Sequence, residues 1–160
     1  MSVDPPAAVA WLEKTRAAVL NLVVAAGFGI AASGFLLHWR DRWAVTRAPG
    51  GVRAGLSIGL IVLALSSHFV RRTVSSRRAL RDPSTRGPTL YRGHVVSAAL
   101  AVLAVPLGLA YGWLVSPRLD AVVPFWVVAL ALGLLALPRS HELEGLDDPF
   151  SDPEPNEPPA

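Results

Sequence analysis

Cysteine is absent from this chain. That excludes disulfides, thiolate metal sites, cysteine nucleophiles and palmitoylation. Lysine is nearly absent as well, Lys14 being the single one among fifteen Lys and Arg residues. Carboxylates, amines and guanidinium groups are missing from four long stretches, residues 17–37, 54–70, 95–115 and 121–137. A proton- or cation-coupled transporter usually binds its ion through an ionisable group inside a span, so the small multidrug-transporter class is excluded. No HExxH or HxxxH spacing occurs, and the sequence carries no zinc signature. No reaction or transport motif is recognisable in any stretch. The chain reads as non-enzymatic, with no catalytic residues.

What the sequence does contain is apolar length. At 1.5 Å per helical residue the four runs reach roughly 26–32 Å, which matches a bilayer hydrocarbon core of about 30 Å. Hydrophobic residues make up 52% of the 160-residue chain and the mean hydropathy is +0.42. The expected fold is all-α: an integral membrane four-helix bundle of two antiparallel transmembrane hairpins, with a disordered acidic C-terminal tail. The expected organisation is an N-terminal cytoplasmic segment (1–16), a membrane domain (17–137) and the tail (138–160). The first run could be a secretory signal cleaved near Ala31-Ala32-Ser33. It continues through Gly34-Phe35-Leu36-Leu37, longer than an ordinary signal core, so a retained anchor is the reading adopted.

The isoelectric point of about 10.2 does not imply nucleic acid, because the Arg residues flank the spans. Anionic lipid headgroups and topology explain them. The connection after the second run carries Arg71, Arg72, Arg77, Arg78, Arg81, Arg86 and Arg92, whereas the first loop carries Arg40, Arg42, Arg47 and Arg53. The positive-inside rule therefore expects both termini on the cytoplasmic side of the inner membrane. Trp39, Trp43, Tyr111, Trp113 and Trp126 then read as an outer interfacial belt, and Trp11 and Tyr91 as its inner counterpart.

Small residues mark the expected helix-packing faces. Gly55 and Gly59 form one GxxxG, Gly108 and Gly112 a second, and Ala25, Gly29 and Ser33 repeat the four-residue spacing. Residues four apart share a helix face, so the strips of the second and third spans are expected to meet in the outer half of the bundle. Pro106 removes a backbone donor and should leave the carbonyl of residue 102 unpaired or kink the helix. Asn21 and the span serines read as packing polar groups. His68 and His94 fall on one side of the membrane and are the candidate ligands of a bis-His haem. Ligating histidines usually sit deeper than His94, so an interfacial role is preferred and no cofactor is expected.

Arg71, Arg72, Arg77, Arg78 and Arg81 are expected to dock on anionic lipid headgroups or a protein partner. In the tail, Leu143, Leu146 and Phe150 form an apolar edge among seven acids, suited to docking on a partner. The leading functional expectation is a non-catalytic accessory or scaffold subunit of a larger membrane complex, an energy-transducing one among the candidates. Other integral membrane subunits and a second copy of the chain are the expected protein partners. A small oligomeric transporter or channel is the alternative, and a membrane b-type haem protein is third.

Overall fold

A computed structural model describes residues 5–41, 50–74 and 83–139, and every regular element among them is helical. The elements are α1 (Pro5–Asp41), α2 (Gly50–Val74), α3 (Pro83–Val102), α4 (Ala104–Leu114) and α5 (Leu119–Leu135). Three spans are long and apolar enough to cross a membrane: Ala10–Arg40, Gly50–Val74 and Thr85–Leu114. Leu119–Leu135 is a shorter apolar helix.

α1 and α3 reach well beyond their apolar runs, α1 taking in residues 5–16 and α3 residues 83–94. The acidic tail and residues 75–82 lie outside the described residues.

Pro106 has the effect its chemistry dictates. It cannot donate to the carbonyl of Val102, and the helix is interrupted at Leu103, whose φ is −61° and ψ −16°. The ladder bridges the break, with Leu103 N donating to Ala99 O at 3.2 Å and Leu107 N to Leu103 O at 3.3 Å. α3 and α4 thus form one span with a flaw in its middle.

That span is the centre of the molecule. Its buried residues include Leu90, His94, Ser97, Ala101, Ala104, Gly108 and Tyr111, alternating four and three apart, so they make a continuous seam. Most are small, which lets neighbouring backbones come close. A Cβ on Gly108 would stand 2.8 Å from Phe125 Cβ, and one on Gly112 would stand 2.6 Å from Leu37 Cδ1. The larger core cluster lies around them, from Ala26 and Leu37 through Val105 and Tyr111 to Val122, Phe125 and Trp126. Tyr111 and Phe125 rings stack at 5.0 Å between centroids. A smaller cluster of Val19, Ala98 and Ala136 occupies the other end.

Tyr111 and Trp126 correct the belt expectation. They are 7% and 9% exposed and belong to the core, because both lie on buried seams facing each other's helix. Trp39 and Trp113 do face outward, and Trp43 lies outside the described residues.

Substitution at the glycines separates real closeness from sequence pattern. Gly108→Ala should destabilise the detergent-solubilised protein by about 1–3 kcal/mol, because Phe125 Cβ cannot retreat without its backbone. Gly112→Ala should cost less, since the opposing Leu37 methyls can swing aside. Gly55→Ala, with no atom within 4 Å of its added Cβ, should be neutral or slightly stabilising. Thermal unfolding midpoints check the order, and equal midpoints for all three would refute it.

Candidate functional site

Contacts among the helices bring the start of α1, the end of α2, the start of α3 and the end of α5 to one end of the bundle. Trp11 packs edge-on against Tyr91 at 6.2 Å, and Lys14 Nζ lies 4.9 Å from the Trp11 ring centroid and 5.5 Å from that of Tyr91. Cation–π attraction fastens α1 to α3 there. Gly87 permits the approach, since a Cβ on it would stand 2.6 Å from the Trp11 ring. Gly93 does the same beside Val74 at the end of α2.

Beneath this rim the interior is polar. Ser67 Oγ donates to Ser97 O and Ser97 Oγ to Ser67 O, each at 3.0 Å, so two hydroxyls tie α2 to α3 reciprocally. Both residues are almost fully buried, and each hydroxyl reaches an acceptor that water cannot supply there. His94, 1% exposed, places Nδ1 2.7 Å from the carbonyl of Ala136. A carbonyl only accepts, so Nδ1 carries the proton and donates. The last carbonyls of α5 have no partner in their own helix, and His94 supplies one from a different helix. Arg16 Nε donates to Pro138 O at 3.4 Å just beyond it.

Charge is strongly one-sided at this end. Lys14, Arg16, Arg71, Arg72, Arg86, Arg92 and Arg139 gather there, and Glu13 is the one acid among the described residues beside them. The opposite end has Arg40, Arg53 and Arg118 with Asp41 and Asp120. Arg118 and Asp120 pair at 2.9 Å in the exposed α4–α5 turn, and the Arg40 guanidinium lies 4.1 Å from the Trp113 ring centroid.

The structure distributes the sequence-selected glycines differently from the expected meeting of strips. Gly108 and Gly112 face α5 and α1, not α2. Gly59 faces Leu107 at ordinary contact distance, and Gly55 faces open space. On α1, Gly29 lies against Val105 and Ser33 is buried, whereas Ala25 is exposed and Ala26 occupies the core. The four-residue rule alone does not say which neighbour a strip will face.

His94 is buried within the protein, on the side of α3 that faces the end of α5. His68 is exposed. Ser67, not His68, turns toward α3, and adjacent helical residues diverge by about 100°. The two imidazoles are therefore not brought together. No group of three metal-ligating side chains occurs among the described residues. Arg71 is half-buried and Arg72 exposed, while Arg77, Arg78, Arg81, Leu143, Leu146 and Phe150 lie outside the described residues.

Two outward features complete the surface. Asn21 and Ala25, one turn apart on α1, are both exposed. The exposed residues of α2 run in a stripe through Gly51, Ala54, Gly55, Ile58, Ile61, Val62, Leu65, His68 and Phe69. Only 6% of the apolar window of α2 is buried, against 44% for Thr85–Leu114. Trp126 Nε1 is buried beside Gly108 with no hydrogen-bond partner among the described residues. No protein-family model matches the chain, and no curated protein or solved structure matches it either.

The polar end can be tested by coupling. Ser67→Ala and Ser97→Ala should each lower the unfolding midpoint, and their double-mutant cycle should return a coupling of about 0.6–1.7 kcal/mol. His94→Leu should cost about 1–3 kcal/mol by stranding the Ala136 carbonyl. Additive serine substitutions would show that the reciprocal pair is not formed.

Proposed function

We propose that this protein is a non-catalytic accessory or scaffold subunit of a larger membrane assembly. It sits in the inner membrane as four spans, α5 included, with both termini and the acidic tail on the cytoplasmic side. The observation that carries this reading is the outward position of Asn21. It lies five residues beyond Arg16, about 7 Å along the helix, on a face otherwise suited to hydrocarbon. An amide without a hydrogen-bond partner in an apolar medium costs roughly 2–7 kcal/mol. A helix of another subunit can supply that partner, and Ala25 one turn away lets its backbone come close.

The outward stripe of α2 supports the same reading. Its glycine end offers a second flat surface, and only 6% of its apolar window is buried within the chain. By contrast, the interior polar groups Ser67, Ser97 and His94 are engaged with one another's backbones or with α5.

Orientation follows from the basic end, which the positive-inside rule assigns to the cytoplasm. An impermeant thiol reagent applied to intact cells should label Thr46→Cys and spare Ser84→Cys. The opposite labelling pattern would invert the orientation.

The assembly role is tested at the outward faces. Asn21→Leu and Gly55→Leu should leave the thermal midpoint of the purified protein unchanged. Each should shift its migration in mild detergent from a large complex toward the free chain. Unchanged migration in both variants would remove the basis of the reading. So would robust ion or substrate flux from the isolated protein in liposomes, the outcome expected of an oligomeric transporter.

A further inference from the structure

We propose that the acidic C-terminal segment, residues 142–157, docks on the basic end of the bundle. Five of the cations gathered there, Lys14, Arg16, Arg72, Arg92 and Arg139, are exposed and come from every helical layer of that end. Arg71 and Arg86 are half-buried and hold interactions of their own, so the docking rests on the exposed five. Glu13 is the one acid beside them among the described residues.

The complementary charge is tethered at the right place. Pro138 accepts a hydrogen bond from Arg16, so the chain leaves α5 in contact with the basic end itself. Residues 142–157 carry Glu142, Glu144, Asp147, Asp148, Asp152, Glu154 and Glu157 and no cation. The eighteen residues from 140 to 157 reach up to about 60 Å when extended, whereas two packed helices are roughly 20–25 Å across. The segment is therefore long enough to cross the whole end. A short tether holds it at millimolar effective concentration, where several weak ion pairs suffice.

Anionic lipid headgroups are the competing occupant. They surround the bundle laterally and reach its rim, whereas cations over the end face, such as Arg16 beside Pro138, are open to a segment arriving from water. A docked segment screens these cations from lipid and partner alike. The inference does not depend on the accessory-subunit reading, because the measurement uses the purified chain alone.

The cysteine-free chain allows a direct test. Spin labels on Ala10→Cys and Ser151→Cys of the full-length protein report their separation by pulsed dipolar spectroscopy. Nanodiscs of phosphatidylcholine, and of phosphatidylcholine mixed with phosphatidylglycerol, provide the two lipid conditions. A dominant population within the bundle end, roughly 25 Å, is expected in both. High salt should abolish it, as should replacing Glu142, Glu144, Asp147 and Asp148 by their amides, a change that leaves the bundle intact. A broad distribution indifferent to salt would overturn the proposal. So would a short distance lost in the mixed nanodiscs, which would assign the basic end to lipid headgroups.

Discussion

A methyl group on Gly108 would meet Phe125 Cβ at 2.8 Å, so α4 and α5 stand at a separation only a bare Cα allows. In hydrocarbon the surrounding solvent is as apolar as the side chains, and burial by itself does little to hold helices together. Packing has to do it. With α5 seated on Gly108, Phe125 comes beside Tyr111 and Trp126 reaches Gly34 on α1. Leu37 fills the notch at Gly112, and Gly133 admits Val23 from α1. Glycines on α1, α4 and α5 thereby lock these three helices together, while α2 is held to α3 beside Gly93 and through the Ser67–Ser97 pair.

The polar end adds a second principle. There the apolar cluster is small, and hydrogen bonds between helices join the close approaches at Gly87 and Gly93. Ser67 and Ser97 satisfy each other, and His94 terminates α5 from outside. Such bonds are individually modest, yet each also spares a buried group the loss of water. The molecule thus holds together by shape alone at one end and by shape with directed bonds at the other, with the interruption at Leu103 between them.

Much of the membrane character was legible in sequence, because charge-free runs of bilayer length leave few other folds. The small-residue seam at Gly108 and Gly112 was legible too, but not its neighbours, since four-residue spacing fixes a face and not what lies opposite. Apolar runs and helices do not share their ends: charged and proline residues end the apolar run without ending the helix, and α3 continues through Thr85–Arg92 to a buried His94. A signal for that burial existed: His94 falls three residues before Ser97 and seven before Ala101, on the same seam as Ala104 and Gly108. Likewise Tyr111 and Trp126 match interfacial residues in type, and only their seam positions mark them as core. The outward position of Asn21 was not legible, because a nearly uniform apolar helix gives no internal reference for its buried side.

The helices are also unequal in length. Ala10–Arg40 comprises 31 residues and extends about 46 Å, whereas the 17 residues of Leu119–Leu135 extend about 25 Å. A bilayer measures about 30 Å across its hydrocarbon and 40–45 Å with its headgroups. The long helix matches the full thickness and the short one falls below the hydrocarbon alone. With α5 as the fourth span proposed above, lipid beside it would have to thin or another protein take its place. In that arrangement, bilayers of different thickness would not accommodate the protein equally.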